Sequence, residues 1–87
     1  MAKVVIYSSP FCGFCFRAKG LLNKKGAAFE EIDVMMDPSR KPEMIQRSNG
    51  GRTVPQIFID DRHIGGCDEL FAVDAKGELD ALLSADS

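Results

Sequence analysis

Two cysteines separated by two residues are the part of this sequence best suited to chemistry. Cys12 and Cys15 enclose Gly13-Phe14, and on a helix this spacing places both sulfur atoms on one side of the first turn. There they lie close enough to form a disulfide or to bind one metal ion. Unpaired N–H groups and the dipole at a helix N-terminus stabilise a thiolate. We therefore expect Cys12 to be the exposed, acidic sulfur, and Cys15, on the apolar stripe of the helix, to be less exposed and less acidic.

An acidic thiol at position 12 would favour the turnover of mixed disulfides. A thiol with an ordinary pKa of about 8.5 is about 3% ionised at pH 7, and one with a pKa of about 5 is almost fully ionised. Its intrinsic nucleophilicity falls over the same interval, so the two effects nearly cancel for attack. The gain appears when Cys12 is the leaving group, because a more acidic thiol departs faster.

Zinc binding is the alternative use of these sulfurs. Cys12, Cys15, His63 and Cys67 could supply four ligands, but ligand pairs in structural zinc sites are usually about 12–20 residues apart. The gap from Cys15 to His63 contains two predicted helices and two predicted strands. We therefore predict a redox pair with no metal ligand, and a zinc-stabilised binding module is the less favoured interpretation. Cys67 is expected to be a small buried residue and His63 a half-exposed strand residue.

The elements that must position the cysteine pair follow from hydrophobic periodicity and turn residues. Strands are predicted over 3–7, 29–34, 56–60 and 63–65, and helices over about 15–25, 42–48 and 68–75, with a last helical turn or two at 78–83. The cysteine pair then lies inside a βαβ unit, which should be parallel and right-handed. The order β-α-β-α-β-β-α predicts an α/β fold with a four-stranded mixed sheet flanked by helices on both faces.

Length and charge exclude several classes of function. The 87 residues predict a single domain over 1–87. Eleven Lys and Arg residues against 13 Asp and Glu residues give a net charge of −2, which predicts no nucleic acid partner and no anionic membrane partner. No apolar run reaches the length of a membrane span, and the first apolar run, Val4-Val5-Ile6, is too short for a signal peptide. We therefore predict a cytoplasmic location, where thiols stay reduced.

Three segments in order resemble the glutaredoxin family over nearly the whole chain. They are Cys12-Gly13-Phe14-Cys15, Arg52-Thr53-Val54-Pro55-Gln56-Ile57-Phe58-Ile59 and His63-Ile64-Gly65-Gly66-Cys67-Asp68-Glu69-Leu70. The resemblance is greatest to the small bacterial dithiol members. Thioredoxins fit less well, since the first cysteine is not preceded by Trp and the Gly-Gly-Cys-Asp segment is a glutathione-site feature. The resemblance implies a thioredoxin-like fold and a monomeric oxidoreductase of electron transport and cell redox homeostasis. It would use glutathione to reduce protein disulfides and glutathionylated proteins.

The resemblance also implies a role for individual residues. Cys12 would be the nucleophile and Cys15 the resolving thiol. A cis Pro55 would turn the Val54 backbone toward glutathione, which would bind as an added strand. The γ-glutamyl end would meet the N-terminus of the following helix, with the Asp68 carboxylate on its ammonium group. The implied glutathione groove consists of Phe14, Arg52, Thr53, Val54, Pro55, Gly66, Cys67 and Asp68.

Two departures from the family pattern modify these expectations. Ser9 stands where members usually have Lys, so a cation that would pair with the glycine carboxylate of glutathione is missing. Arg52 is the best substitute, with Arg47 or Lys41 behind it. We expect somewhat weaker glutathione binding and a less lowered Cys12 pKa than is usual in the family.

The second departure is Gly13-Phe14 between the cysteines, where dithiol members usually carry Pro-Tyr. Gly-Phe is the pair found in monothiol members, which carry iron–sulfur clusters. A [2Fe–2S] cluster between two chains is therefore the alternative function, with one Cys12 thiolate and one glutathione thiolate from each side.

Overall fold

The computed structural model describes residues 2–84 of the chain. In chain order the elements are β1 (Val4–Ser8), α1 (Gly13–Lys24), β2 (Phe29–Asp33), a 3₁₀ helix (Pro38–Arg40), α2 (Lys41–Arg47), β3 (Gln56–Ile59), β4 (Arg62–Gly65), α3 (Cys67–Ala75) and α4 (Leu79–Ser84). Within the described residues, no helix combines the length and the apolar character needed to cross a membrane.

The strands form one mixed sheet in the order β2-β1-β3-β4. Val5 of β1 pairs with Glu30 of the parallel strand β2 and with Phe58 of the antiparallel strand β3. β3 and β4 form an antiparallel hairpin. Its turn residues Asp60 and Asp61 have φ angles of 50° and 65°, as tight hairpin turns require. The mixed four-stranded sheet and the parallel first βαβ unit are therefore confirmed.

The sheet separates two hydrophobic cores. Side chains alternate along β1, so Val4 and Ile6 face one side and Val5 and Tyr7 face the other. The first core lies under α1, α3 and α4 and consists of Val4, Ile6, Ala18, Leu21, Leu22, Ala27, Ile57, Ile59, Cys67, Leu70, Leu79 and Leu83. The second core lies under α2 and consists of Val5, Tyr7, Ile32, Val34, Met44 and Phe58. Helices flank both faces, as predicted.

Helix α1 begins at Gly13, two residues before the start that its apolar periodicity predicted. Cys12 is the N-cap, with φ −107° and ψ 107°, and its Sγ accepts the N–H of Cys15. A cap is set by this hydrogen bond and not by the apolar stripe, so periodicity alone places the start too late. As a result Phe14 lies in the first turn of α1.

The start of α2 also has a physical reason. The predicted helix over about 42–48 begins at Lys41, and the 3₁₀ helix Pro38–Arg40 directly precedes it. Pro42 then lies in the first turn of α2, where its missing N–H breaks no intrahelical bond. Asp37 is the N-cap residue of the 3₁₀ helix, but its side chain makes no capping hydrogen bond, and its Oδ1 accepts the hydroxyl of Ser39 at 2.6 Å.

Candidate active site

The cysteine pair lies at the exposed N-terminus of α1, directly after the loop that follows β1. Cys12 and Cys15 are joined as a disulfide, with their Cα atoms 5.2 Å apart. The N–H of Cys15 lies 3.0 Å from Cys12 Sγ. None of the residues in the first turn of α1 is acidic, so the local field of the helix N-terminus is not opposed there. This arrangement stabilises negative charge on Cys12 Sγ when the pair is reduced.

The two sulfur atoms have different access to solvent. Cys15 is 1% exposed and lies on the inner side of α1, as the apolar stripe predicted. Cys12 is only half-buried. An external disulfide can therefore reach Cys12, whereas Cys15 can reach Cys12 and little else.

A groove beside the cysteines is formed by the N-terminal ends of two helices and the loop before β3. Its walls are Phe14, Thr53, Val54, Pro55, Gly66, Cys67, Asp68 and Glu69. The Val54–Pro55 peptide bond is cis, and the Val54 carbonyl oxygen lies 3.6 Å from Cys12 Sγ. The structure thus brings together seven of the eight residues that the resemblance implied for glutathione.

Arg52, the eighth residue, lies in an adjoining pocket. That pocket is lined by Ser9, Val34, Met35, Lys41, Arg52 and Val54. The two cations of this pocket, Lys41 and Arg52, are exposed, and neither forms an ion pair with another residue of the described range 2–84. Val54 lines both pockets, so the pocket that contains Arg52 and Lys41 adjoins the groove at Val54.

Three other cations already have partners in the fold. Arg17 of α1 packs over the ring of Phe71, with its guanidinium carbon 5.5 Å from the ring centroid. Lys19 pairs with Glu31 at 2.8 Å. Arg47, one of the two reserve cations suggested by the sequence, donates to the hydroxyl of Tyr7 at 2.8 Å. Arg47 is therefore the weaker substitute for the missing lysine.

Glu69 is the groove residue that the sequence analysis missed. Its Oε1 accepts the N–H of Gly66, the N-cap of α3, at 2.6 Å. An acidic residue three positions after an N-cap is typical of helix starts, and this spacing could have identified it. Glu69 also restricts its neighbour Gly65, which has φ +120°, because an added Cβ there would lie 2.8 Å from the Glu69 side chain.

Cys67 contributes its backbone to the groove and its side chain to the first core. The residue is 4% exposed, and burial raises the pKa of its thiol above the ordinary value. A protonated, enclosed thiol is a poor nucleophile. The expectation that Cys67 is a small buried residue is confirmed.

The four sulfur and imidazole groups considered for zinc do not converge. The ring of His63 packs against Phe58 of the second core, with centroids 5.0 Å apart, whereas the Cys67 side chain lies in the first core. The sheet separates these two groups. Across residues 2–84, no three His, Cys, Asp or Glu side chains are arranged to hold a metal ion.

Comparison with known sequences matches this chain to glutaredoxins. A family model described as Glutaredoxin matches residues 4–64. The chain is 54% identical to glutaredoxin 3 of Escherichia coli over 83 residues, which are 95% of this chain and 99% of that one. It is 48% identical to a glutaredoxin of Pseudomonas aeruginosa over 85 residues, covering 98% and 100% of the two chains.

Comparison with solved structures also matches this chain to glutaredoxins. A buckwheat glutaredoxin–glutathione complex has a TM-score of 0.87 at 32% identity, covering 95% of this chain and 77% of that one. The glutaredoxin of Brucella melitensis has a TM-score of 0.82 at 51% identity, covering 95% and 89%. A structure described as "Metal Binding of Glutaredoxins" has a TM-score of 0.74 at 48% identity, covering 100% and 94%. The thioredoxin-like fold is therefore confirmed.

Proposed function

The chain belongs to the glutaredoxin family of thiol–disulfide oxidoreductases, and from that premise we propose that it reduces glutathionylated proteins and protein disulfides with glutathione as the reductant. One observation carries this proposal. Cys12 Sγ is reachable at a helix N-terminus beside an open groove, while its partner Cys15 is sealed beneath it. That asymmetry supports separate roles for a nucleophile and a resolving thiol.

With a glutathionylated protein, the reaction needs only Cys12. Its thiolate attacks the glutathione sulfur, a new Cys12–glutathione disulfide forms, and the protein thiolate leaves. A second glutathione thiolate then attacks that mixed disulfide at the glutathione sulfur. Oxidised glutathione is released and the Cys12 thiolate is restored. The cycle consumes one free glutathione, which leaves as oxidised glutathione together with the glutathionyl group of the substrate.

With a protein disulfide, both cysteines take part. The Cys12 thiolate attacks one substrate sulfur and expels the other as a thiolate. Cys15 loses its proton and attacks Cys12 Sγ, which closes the intramolecular disulfide and releases the second substrate thiolate. The Cα separation of 5.2 Å in the oxidised pair is within the usual range for a disulfide. Two glutathione molecules then reduce the pair to dithiol and leave as one disulfide.

Two backbone groups act on Cys12 in opposite senses. The Cys15 N–H, 3.0 Å from Cys12 Sγ, stabilises a thiolate. The Val54 carbonyl oxygen, 3.6 Å away, favours the protonated thiol because only S–H can donate to it. We propose that the helix N-terminus dominates, since several N–H groups and the dipole act together there.

We propose that glutathione lies along the groove in an extended form. Val54 would exchange backbone hydrogen bonds with it as an added strand. The N–H groups of Cys67 and Asp68 lie in the first turn of α3 and have no intrahelical acceptor, so they suit the γ-glutamyl carboxylate. The exposed Asp68 carboxylate suits the adjacent ammonium. The buckwheat relative, whose structure is a complex with glutathione, supports this choice of ligand.

Two cysteine variants test the proposal. Cys12→Ser should abolish reduction of both a glutathionylated peptide and a protein disulfide. Cys15→Ser should retain deglutathionylation and lose reduction of the protein disulfide, because only the second reaction needs the resolving thiol. Full activity of Cys12→Ser, or equal loss of both activities in Cys15→Ser, would contradict the assigned roles.

A glutathione-ligated [2Fe–2S] cluster shared by two chains is the second candidate function. Gly13 favours it, because an added Cβ there would meet no atom within 4 Å, which leaves the backbone beside Cys12 open to a bulky group. Only Cys12 could serve as a protein ligand, since Cys15 is buried. After anaerobic purification with glutathione, a cluster carrier would be a coloured dimer, and the oxidoreductase alone would be a colourless monomer.

We propose a cytoplasmic location on chemical grounds. A dithiol that is regenerated by glutathione needs a compartment whose glutathione is mostly reduced, and the cytosol provides it.

A further inference from the structure

Gln56 is a buried polar residue with two hydrogen-bond partners. It lies at the start of β3 and is 6% exposed. Its Nε2 donates to the carbonyl oxygen of Thr53 at 2.9 Å. Its Oε1 lies 2.7 Å from Nε2 of His63 on β4. A single side chain therefore connects the outer strand of the hairpin to the loop that forms one wall of the groove.

The orientation of the Gln56 amide defines the donor on His63. The amide nitrogen faces a carbonyl oxygen, which can only accept, so the amide oxygen faces the imidazole. His63 Nε2 must then carry a hydrogen and donate. If the amide were rotated by half a turn, two oxygens would face each other at Thr53, which is unfavourable.

The loop approaches the Gln56 amide closely. An added Cβ on Gly51 would lie 2.8 Å from Gln56 Nε2 and 2.6 Å from Ser48 Oγ. Ser48 Oγ also donates to the Gly51 carbonyl at 3.1 Å. The loop is thus held by two carbonyl groups, that of Gly51 by Ser48 and that of Thr53 by Gln56, and the absence of a Cβ at Gly51 allows its close approach to the Gln56 amide.

His63 is itself held in place. Its ring lies against Phe58 at 5.0 Å between centroids, tilted by 30°. Arg47 packs on the same Phe58 ring, with its guanidinium carbon 4.3 Å from the centroid. The imidazole therefore has a fixed position from which Nε2 can donate to Gln56.

We propose that Gln56 and His63 are positioning residues that fix the Thr53-Val54-Pro55 wall for the substrate strand. The Thr53 carbonyl is anchored one residue before Val54, whose backbone is proposed to pair with glutathione, so the inference rests on the proposed function. Neither side chain touches the cysteines. Their loss should weaken substrate binding without altering the reactivity of Cys12.

Variants of His63 test this proposal, because His63 is exposed and its replacement disturbs packing less than replacement of the buried Gln56 would. His63→Phe keeps a ring on Phe58 and removes the donor. His63→Gln places an amide N–H near the position of Nε2 and serves as the conservative rescue. We expect His63→Phe to raise KM for a glutathionylated peptide by about fivefold, as for one neutral hydrogen bond, with kcat and the alkylation rate of Cys12 unchanged. His63→Gln should restore KM.

A second measurement does not depend on substrate. Backbone ¹⁵N order parameters of Thr53 and Val54 in the free protein should fall in His63→Phe and recover in His63→Gln. Unchanged KM and unchanged order parameters in His63→Phe would overturn the proposal. If the wild-type protein did not turn over the glutathionylated peptide, the proposed function would fail, and the order parameters would still decide whether the two residues position the loop.

Discussion

At the scale of single residues, Cys15 faces the protein interior, whereas Cys12 lies beside a backbone carbonyl from a distant part of the chain. The apolar stripe that includes Ala18 and Leu22 was enough to predict that Cys15 faces inward. The Val54 carbonyl beside Cys12 could not be predicted in the same way, because 42 residues separate the two along the chain. A local pattern can identify a helix face, but not the distant backbone group that packs against it.

Arg52 and Ser9 provide a prediction at this scale. An exposed cation contributes about 0.2–1 kcal/mol to an ion pair, which is about 1.4- to fivefold in binding. Arg52→Ala should therefore raise KM for a glutathionylated peptide within that range, with little change in kcat. Ser9→Lys should lower KM, because it adds a third cation to the pocket that already contains Arg52 and Lys41. Both effects should shrink at high salt.

Arg62→Ala is the matched control for charge. Arg62 is an exposed arginine of β4 that lines a different surface pocket, next to Glu78 and Leu82. Its replacement removes the same charge and should leave KM unaltered. An equal rise of KM in both arginine variants would show that net charge, and not the position of Arg52, is responsible.

At the scale of elements, the sequence predicted which segments are helical or extended better than where they begin. Periodicity identified α1, but its start at Gly13 depends on a sulfur atom acting as the cap. It also identified α2, although the turn before it is a 3₁₀ helix. Caps and first turns depend on one or two hydrogen bonds, which leave little trace in an apolar pattern.

Gly20 provides a prediction for α1. It lies in the helix interior and is exposed, and an added Cβ would meet no atom within 4 Å. Glycine in such a position costs about 0.5–1 kcal/mol relative to alanine. Gly20→Ala should increase the free energy of unfolding by about that amount, measured by urea denaturation.

Gly65→Ala is the contrasting variant. Gly65 has φ +120° and is buried, and an added Cβ would approach the Glu69 side chain to 2.8 Å. This substitution should decrease the free energy of unfolding. If the two alanine variants shifted stability in the same direction, space and backbone angle would not be the deciding factors.

At the scale of the whole molecule, the order of elements was sufficient to predict a mixed sheet between two layers of helices. The polar connections between the elements were not predictable. Tyr7 of β1, for example, donates its hydroxyl to Glu43 of α2 at 2.6 Å. Glu31 of β2 accepts from Ser8 of β1 at 2.6 Å and from Lys19 of α1 at 2.8 Å. These bonds join residues that only the tertiary fold brings together.

The same carboxylates predict how stability depends on pH. The pKa of Glu31 is lowered by its bonds to Lys19 and Ser8, and the pKa of Glu43 by Arg40 and Tyr7. A group whose pKa is lower in the folded chain stabilises the fold above its unfolded pKa of about 4.5. That contribution is lost as pH falls below about 4.5 and through the lowered folded value. Urea midpoints measured from pH 7 down to pH 3 should therefore decrease most steeply once the pH is below about 4.5.

Glu31→Gln should make that decrease smaller, because the amide does not titrate. Glu30→Gln is the matched control, since Glu30 is the neighbouring exposed carboxylate and forms no ion pair with any residue between 2 and 84. Its pH profile should follow that of the unaltered chain. Identical profiles for both variants would mean that Glu31 does not contribute to acid sensitivity.

The two cores carry separate natural reporters. The chain has one tyrosine and no tryptophan, and Tyr7 is fully buried in the second core. With Cys12 and Cys15 oxidised, Cys67 in the first core is the free thiol. Tyrosine fluorescence and Cys67 labelling therefore monitor opposite sides of the sheet without any introduced probe. Coincident transitions would identify the halves of the molecule as one cooperative unit.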